Sequence, residues 1–388
     1  MNQRSFHIVF LHKVFPLGGA EQVTIAIANY LCKQGYKVTI LTNEYQEIAY
    51  HAGTKRFFQV YALPKGNIKC SKRVAYAIRD FIHNQQVDVL VTYREILYAR
   101  WLKRQTGVKI VYELHSTPFY ECIDITDKRH ESWWKNIFYG SGFEWMTKMF
   151  YRQKYRRIYK WCDAYGLLCE AYRRQMVSML SLGEKNKTWV LPNPVTLPTH
   201  IVDERENTVL YVGRLSHRDK RVDRLLRVWK MVEPQLNDWQ LKIVGDGKDA
   251  DNLKQLAATL GLERVSFEGH SSQVANYYQS AAILCLTSSF EGWPMSVAEA
   301  QAYGVIPVVF DSFAGAADLI SNENEGIRVS PFDEKLFVQQ LVSLATDERR
   351  QQTMQRAIIS KSHSYTVERS GKVWECMLRN IILYSSIN

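Results

Sequence analysis

The residues most able to do chemistry are two carboxylates eight positions apart, Glu291 and Glu299. Glu291 follows an apolar run at 282–286, which predicts a strand, and the glycine and proline soon after it predict a loop. We expect Glu299 roughly two turns into the next helix. Because the free N–H groups and the dipole of a helix N-terminus favour an anion, this segment predicts a site for a ligand that carries phosphate and sugar groups.

Two cations lie just beyond another predicted strand, at 208–212: Arg214 and, six positions later, Lys220. Arginine binds phosphate through two N–H groups and lysine supplies a point charge, so the pair is typical of a diphosphate site that stabilises a leaving group. Arg218 and Arg221 are rival candidates. A lone pair of glutamates at this spacing most often lies on a solvated helix face, but its combination with these cations favours a functional interpretation.

Glycines follow three predicted strands of the second half: Gly213, Gly245 and Gly269. A glycine at a strand end lets the backbone approach a ligand closely. In the first half, Gly18 and Gly19 come directly before a predicted helix, and the alternative there is a simple strand-to-helix turn.

His115 and Glu21 complete the candidate residues of the first half. His115 comes just past a predicted strand at 108–113. Most single histidines are structural or lie on the surface, so spacing alone does not favour a functional role for it.

Taken together, these segments resemble the signature of family 4 glycosyltransferases, which are retaining enzymes of the GT-B fold. The resemblance rests on Glu291-Gly292-Trp293-Pro294 with Glu299, Arg214 with Lys220, Val244-Gly245-Asp246-Gly247, Phe267-Glu268-Gly269-His270, Gly18-Gly19-Ala20-Glu21 and His115. Two positions depart from the family pattern. Arg221 stands where the family has a glycine after the lysine, and Asp318 replaces a more usual glutamate. We expect Asp318 to start a helix rather than to take part in catalysis.

The resemblance implies a role for each residue. Glu291 and His115 would face the transferred sugar, Arg214 and Lys220 would stabilise the leaving diphosphate, and Glu299 would accept hydrogen bonds from the ribose hydroxyls. Further donor contacts are implied for Gly18, Gly19, Gly213, Gly245, Gly269, His270, Gly292, Trp293 and Met295, with Glu21 close to the donor phosphates and the acceptor. No metal ion and no cofactor are expected, since the cations replace the Mg²⁺ of other transferases.

The order of predicted elements alternates strands and helices, which favours an α/β fold with parallel sheets. The resemblance implies two Rossmann-like domains that face a central cleft: an acceptor-binding domain at 1–195, a donor-binding domain at 196–366, and a C-terminal helix at 367–388 that crosses back to the first domain. Strands are predicted at 6–11, 37–42, 87–92, 108–113, 163–169, 208–212, 240–244, 264–267, 282–287, 305–310 and 326–329, and helices at 20–34, 93–105, 171–182, 222–232, 249–260 and 367–383.

The net charge of the chain, +11, is concentrated in one aromatic segment. Residues 128–161 contain nine Lys or Arg against two Glu, interleaved with tryptophan, tyrosine and phenylalanine. This pattern predicts contact with an anionic membrane surface. The residues assigned to it are Trp133, Trp134, Lys135, Lys148, Arg152, Lys154, Arg156 and Arg157. The alternative is a core-packing helix with a solvated basic face, and nucleic acid is not expected because no binding motif accompanies the segment.

We therefore expect a metal-independent retaining glycosyltransferase that moves a sugar from a UDP- or GDP-sugar to a saccharide or polyprenyl-linked acceptor in surface polysaccharide synthesis. With no signal peptide and no apolar run of about 20 residues, the expected location is the cytoplasm, peripheral to the inner face of the membrane. The alternatives are another GT-B sugar-nucleotide enzyme, an epimerase or a phosphorylase, and a non-catalytic membrane-associated sugar-binding protein.

Overall fold

The computed structural model describes residues 5–16, 18–45, 56–118, 141–184, 186–202 and 204–384. The chain forms two compact units. The first contains Met1–Pro194 together with Val367–Asn388, and the second contains Val195–Thr366.

The first unit is built on a seven-stranded parallel sheet. Its elements up to residue 190 are β1 (His7–Phe15), α1 (Gly19–Lys33), β2 (Lys37–Tyr45), β3 (Gln59–Ala62), α2 (Lys72–Gln85), β4 (Val89–Thr92), α3 (Ala99–Thr106), β5 (Lys109–Leu114), α4 (Ser141–Trp161), β6 (Ala164–Leu167), α5 (Glu170–Leu180) and β7 (Thr188–Val190). The strand order is β3-β2-β1-β4-β5-β6-β7.

The second unit repeats this design with six strands. Its elements are β8 (Glu206–Val212), α6 (Val222–Val232), β9 (Gln240–Val244), α7 (Ala250–Thr259), β10 (Val265–Gly269), α8 (Val274–Ser280), β11 (Ala281–Leu286), α9 (Met295–Ala302), β12 (Ile306–Phe310), α10 (Gly315–Leu319), β13 (Ile327–Val329), α11 (Glu334–Ala345) and α12 (Glu348–Ser362). The strand order is β10-β9-β8-β11-β12-β13. The last helix of the chain, α13 (Val367–Arg379), belongs to the first unit.

Both sheets have their central strands buried on both faces, which is why these strands read as continuous apolar runs in the sequence. In β1, Ile8, Val9 and Phe10 are fully buried, and Ile8 lies opposite Val38 on one side and Val89 on the other. In the first sheet, strands β2 and β3 lie on one side of β1, and the chain then continues on the other side with β4. In the second sheet the same change of side occurs between β8 and β11. Ligands of doubly wound folds bind beyond the carboxyl ends of the strands at such switch points. The predicted fold class of two parallel-sheet α/β domains is confirmed.

The helix α13 packs on β1 and α1 of the first unit. The Trp374 ring is buried and its centroid lies 5.7 Å from that of Phe10. Gly371 lies so close to Tyr30 of α1 that a Cβ added to the glycine would be 2.4 Å from the tyrosine ring. A glycine therefore sets the separation of these two helices.

Several element boundaries differ from the sequence prediction. The strand β1 continues to Phe15 rather than ending at 11, because His12 and Val14 keep their pairing with β2 although polar residues interrupt the apolar run. The helix α3 begins at Ala99 rather than at 93, and α13 ends at Arg379, followed by a π-helical turn at Asn380–Tyr384. The short strands β3 and β7 and the helix α2 were not predicted.

Within the described part of the chain, none of the helices combines the length and the apolar character that crossing a lipid bilayer requires.

The substitution Gly371→Ala tests the packing of α13 on α1. Helix propensity alone would favour alanine by about 1 kcal/mol. We nevertheless expect the free energy of unfolding in urea to fall by about 1–3 kcal/mol, because the new Cβ overlaps the Tyr30 ring. Gly183→Ala is the control, since a Cβ there meets no atom within 4 Å. A stabilised Gly371→Ala variant would contradict the contact.

Candidate functional site

Two loops flank the switch point of the second sheet, residues 213–221 after β8 and residues 287–294 after β11. Between them, Lys220 Nζ lies 2.6 Å from Glu291 Oε1, and the same oxygen accepts a hydrogen bond from Ser288 Oγ at 2.8 Å. Glu291 is buried, whereas the Lys220 side chain is 19% exposed. The structure therefore brings together a predicted cation and a predicted carboxylate, and leaves the cation open to a ligand.

Hydrogen bonds to main-chain carbonyl groups hold the two loops to each other. The Ser289 N–H donates to the carbonyl of Asp219 at 2.8 Å, and the Thr287 hydroxyl donates to the carbonyl of Arg221 at 2.9 Å. The distance between Lys220 and Glu291 is thus set by main-chain contacts on either side of it, rather than by the two flexible side chains alone.

Three predicted glycines lie together at the same sheet edge. A Cβ on Gly245 would be 1.9 Å from the carbonyl oxygen of Gly213, and the φ of Gly245 is 139°, so only glycine fits there. The Gly245 N–H donates to the carbonyl of Gly269 at 2.8 Å. Gly269 is the last residue of β10, rather than the first of a loop as expected, and His270 beyond it is exposed.

Arg214, the second predicted cation, lies on the rim of this edge. Its guanidinium donates to Asp219 Oδ2 at 2.6 Å, and its side chain is 67% exposed. Burial opposes ionisation of Asp219, but a hydrogen bond from Ser216 and the charge of Arg214 outweigh burial and lower the pKa of the carboxyl group. The guanidinium is therefore anchored at one end and accessible to an anion.

Arg221 is not available as an alternative phosphate ligand in this arrangement. Its Nε and Nη2 donate to the two oxygens of Asp223 at 3.0 and 3.1 Å. The backbone of Arg221 has φ 50° and ψ 47°, the left-handed region that favours glycine, which explains why the family pattern has a glycine here. The other rival, Arg218, is exposed.

Glu299 is the fifth residue of α9 and so lies just over one turn into the helix, not two. Its Oε2 accepts a hydrogen bond from the Tyr278 hydroxyl at 2.9 Å. Burial raises the pKa of Glu299, and the hydrogen bond from Tyr278 only partly opposes this. Further hydrogen-bond donors from a ligand would therefore stabilise the ionised form of Glu299.

The segment between the two glutamates is fixed by buried contacts. The Trp293 indole N–H donates to Asp318 Oδ2 at 3.1 Å, and its ring packs edge-on against Tyr365 at 5.2 Å between centroids. A Cβ on Gly315 would be 2.9 Å from the carbonyl oxygen of Gly292. Asp318 lies in the first turn of α10, in agreement with its prediction as a helix-start residue. Its carboxylate also anchors the loop.

The first turn of α9 leaves main-chain donors at the site. Pro294 caps the helix without a side-chain hydrogen bond, and Met295 is the first helical residue. Orphan N–H groups at such an end suit an anion or a hydroxyl.

In the first unit, Gly18, Gly19 and Glu21 form the start of α1. Gly18 has an extended backbone, and a Cβ on it would be 3.1 Å from Glu21 Oε2, so the glycine leaves room for that carboxylate. Glu21 Oε1 lies 3.5 Å from Nδ1 of His12, which is buried near the end of β1. Burial opposes ionisation of Glu21, but the contact with His12 outweighs it and lowers the pKa of the carboxyl group.

His115 lies directly after β5, as predicted. Its Nε2 is 3.0 Å from Oε1 of Glu113, a fully buried carboxylate, although the two atoms are not aligned as a hydrogen bond. The His115 ring contacts the Tyr93 ring edge-on at 4.8 Å between centroids. The His115 side chain is 13% exposed and that of Glu113 is 1% exposed, so a ligand can contact the histidine but not the carboxylate.

The sequence prediction missed His12, Tyr93 and Glu113 at this edge and Tyr278 and Ser288 in the second unit. Glu113 and His12 carried a signal: each directly follows a run of buried apolar residues within its strand, where an unpaired polar group is costly. Tyr93 and Tyr278 carried none, because their partners Thr24 and Glu299 are distant in sequence, and Ser288 carried none although its partner Glu291 is only three positions away. Among the described residues, no group of three or more His, Cys, Asp or Glu side chains is arranged to hold a metal ion.

The basic aromatic segment divides into two parts along α4. In its C-terminal half Tyr155, Ile158 and Trp161 are buried. In its N-terminal half four large apolar side chains are exposed, namely Trp145, Met146, Met149 and Phe150. Trp133, Trp134 and Lys135 lie outside the described residues.

The predicted membrane-facing cations of α4 have different surroundings. Arg157 pairs with the buried Glu95, Arg156 donates to the carbonyl of Leu180 at 3.2 Å, and Arg152 donates to the Ser181 hydroxyl at 3.0 Å. These three hold the helix to the rest of its unit. Lys148 lies among the exposed apolar residues, and Lys154 lies over the rings of Tyr151 and Tyr155.

Comparison with known proteins covers almost the whole chain. Residues 17–197 match the family model Glycosyltransferase Family 4, and residues 197–361 match the family model Glycosyl transferases group 1. An uncharacterized glycosyltransferase of Haemophilus influenzae is 29% identical over 95% of this chain and 98% of its own length. The GalNAc-alpha-(1->4)-GalNAc-alpha-(1->3)-diNAcBac-PP-undecaprenol alpha-1,4-N-acetyl-D-galactosaminyltransferase of Campylobacter jejuni is 25% identical over 88% of this chain and 89% of its own.

Solved structures share the fold. The lipopolysaccharide outer core galactosyltransferase WaaB in its apo form has a TM-score of 0.69 at 21% identity, and covers 98% of this chain and all of its own. HepE of Anabaena in complex with UDP-glucose has a TM-score of 0.75 at 15% identity, over 96% of this chain and 99% of its own.

The role of Asp318 as an anchor is testable by a double-mutant cycle with Trp293. Asp318→Ala leaves the buried indole N–H without this acceptor, so we expect the free energy of unfolding to fall by about 1–3 kcal/mol. In the Trp293→Phe background, which lacks the donor, the same change should cost less by about 1 kcal/mol. Urea unfolding of the four proteins measures both values, and additive effects would contradict the anchor.

Proposed function

The chain belongs to glycosyltransferase family 4, and on that premise we propose that it transfers a sugar from a UDP-sugar to a saccharide on a lipid-linked acceptor, without a bound metal ion and with retention of configuration. The observation that carries the proposal is the contact of Lys220 with Glu291 at the switch point of the second sheet. HepE of Anabaena is in complex with UDP and with UDP-glucose, and TarM of S. aureus is in complex with UDP, which favours uridine as the base.

The chemistry follows from the charges at this edge. Transfer breaks the bond between the anomeric carbon and the diphosphate, and the leaving UDP gains negative charge. Lys220 and Arg214 lie where a diphosphate at the strand ends would meet them, one cation partly buried and one on the rim. Fixed cations aimed at developing charge stabilise the transition state, which is the task a metal ion performs elsewhere.

We assign Glu291 to the hydroxyl groups of the transferred sugar. Its Oε1 already accepts hydrogen bonds from Lys220 and Ser288, and its buried position suits recognition of a polar ligand group. We do not assign it the role of a nucleophile, the role a second carboxylate takes in retaining glycosidases.

Glu299 fits the ribose of the nucleotide. A vicinal diol offers two donors to one carboxylate, which is the compensation that a partly buried carboxylate with a raised pKa requires. The three clustered glycines allow main chain to approach the base and the phosphates.

The acceptor is proposed from the name of a relative and from the exposed surface of α4. The Campylobacter jejuni relative is named for an undecaprenol-linked substrate. The exposed Trp145, Met146, Met149 and Phe150 beside Lys148 are the kind of surface that enters an anionic lipid interface. We propose that the protein works peripherally at the cytoplasmic face of a membrane, where a lipid-linked acceptor is presented.

The donor assignment is tested by UDP release from four UDP-sugars, carrying glucose, galactose, N-acetylglucosamine or N-acetylgalactosamine, in the presence of EDTA. We expect turnover of one of them, and a loss on the order of a hundredfold in kcat for Lys220→Ala, because the leaving group loses a fixed cation. Lys242→Ala is the matched control: Lys242 also pairs with a glutamate, Glu206 at 2.9 Å, in the same unit. No binding or turnover of any of the four, or equal losses in both variants, would contradict the assignment.

The ribose assignment predicts a pH dependence of donor binding. Only the ionised form of Glu299 accepts two hydroxyl donors fully, and its pKa is raised above 4.5, so affinity for UDP-glucose should increase as pH rises from 4.5 through the raised pKa. The diphosphate diester keeps its charge over this range. Calorimetry should show about tenfold weaker binding and no such increase in Glu299→Gln. Glu325→Gln, which changes a carboxylate bonded to Ser321, is the control. An unchanged profile in Glu299→Gln would refute the assignment.

The membrane assignment is tested by sedimentation with vesicles of phosphatidylcholine, with and without phosphatidylglycerol. We expect binding to the anionic vesicles that weakens with salt, and its loss when Trp145 and Phe150 are both changed to serine. Tyr76→Ser, at an exposed aromatic of α2, should bind like the wild type. If the wild type ignores anionic vesicles, the assignment fails.

A further inference from the structure

His12 is buried beneath the start of α1, where it contacts the polar groups of Thr24 and Glu21, and Thr24 in turn contacts Tyr93. Its Nε2 lies 3.0 Å from Thr24 Oγ1, its Nδ1 lies 3.5 Å from Glu21 Oε1, and Thr24 Oγ1 lies 2.7 Å from the Tyr93 hydroxyl. The ring is held between aromatic neighbours, with its centroid 5.3 Å from Phe15 and 4.6 Å from Tyr93. Both the position and the tilt of the imidazole are therefore set by packing.

The hydrogen atoms of this chain of groups have one consistent arrangement. Burial raises the pKa of the Tyr93 phenol, so the phenol keeps its proton and can donate to Thr24. Burial also lowers the pKa of His12, although Glu21 opposes this, so the imidazole carries one proton at neutral pH. The ionised Glu21 requires that proton on Nδ1, and Nε2 then accepts from the Thr24 hydroxyl, which otherwise donates to the carbonyl of Ala20 at 3.1 Å.

His12 and Glu21 differ in access to a ligand. The His12 side chain is 3% exposed, and that of Glu21 is 21% exposed, beside Gly18 and Gly19. A substrate at this edge can touch Glu21 but not His12. His12 also faces Glu113 of β5 and His115, which directly follows that strand.

We propose that His12 is a positioning residue of the transfer reaction: its Nδ1–H fixes the carboxylate of Glu21 towards the substrate, while Thr24 and Tyr93 fix the histidine. The proposal rests on the proposed function and on the contact with a substrate that the family resemblance implies for Glu21. It adds a buried histidine that acts through another side chain.

Two amide substitutions separate the two nitrogens of His12. The amide nitrogen of asparagine can take the place of Nδ1–H, and that of glutamine the place of Nε2. We expect His12→Asn to keep kcat for UDP release from the turned-over UDP-sugar within a few-fold of the wild type. His12→Gln should lose roughly ten- to a hundredfold, because a small misplacement of a site residue is enough for such a loss. In Glu21→Gln, the further change His12→Gln should have little effect, since the two residues act as a unit.

His7 is the matched control. It is buried on the same strand, at its other end, with Nε2 2.8 Å from the Thr39 hydroxyl and Nδ1 3.0 Å from the carbonyl of Gln85. His7→Asn and His7→Gln should lower the melting temperature but leave kcat unchanged. Equal kcat losses in His12→Asn and His12→Gln, or losses that add to that of Glu21→Gln, would overturn the proposal. If the wild type turns over no UDP-sugar, the proposed function itself fails. If the wild type is active and the variants show either of the two kcat patterns just described, only the proposal for His12 fails.

Discussion

Lys220 and Glu291 are 71 positions apart, and they meet at 2.6 Å because β8 and β11 are neighbours whose carboxyl ends share one edge. Removing one partner of a largely buried pair leaves an uncompensated charge, at a cost of about 3–5 kcal/mol. A ligand that separates them must therefore supply replacements for both. A sugar diphosphate does so, with phosphate oxygens for the lysine and hydroxyl groups for the glutamate. The hydrogen bonds between the two loops and the contact of Trp293 with Asp318 fix the positions of the lysine and the glutamate for this replacement.

The two units differ in how their polar side chains are arranged at the carboxyl ends of the strands. In the second unit the cations remain partly open, and Glu299 has a raised pKa and one hydrogen-bond donor from Tyr278. In the first unit the polar groups are paired with each other, histidine with carboxylate, before any ligand arrives. The open cations of the second unit suit binding of a strongly charged ligand. The paired groups of the first unit suit accurate placement of a few side chains that a neutral hydroxyl group would contact.

Much of the fold could be predicted, because buried parallel strands leave continuous apolar runs and the loops that follow them lie at one edge of the sheet. This is why Arg214, Lys220 and Glu291 were predicted at one edge, where the structure brings Lys220 and Glu291 together, while their role in donor binding stays a prediction. Local backbone conformation was not predictable: the left-handed Arg221 is stabilised by Asp223, and Asp318 bonds to an indole 25 positions away. Nor could periodicity tell which half of α4 is buried, since this depends on its contacts with α5 and with Glu95.

A crystal structure of the protein with UDP is the most direct test of the donor site. We expect UDP at the carboxyl ends of β8 and β11, with Lys220 Nζ moved from Glu291 to within hydrogen-bond distance of a phosphate oxygen and the ribose hydroxyls on Glu299. A structure with UDP bound elsewhere, or with the contact between Lys220 and Glu291 intact and no phosphate on either Lys220 or Arg214, would contradict this expectation.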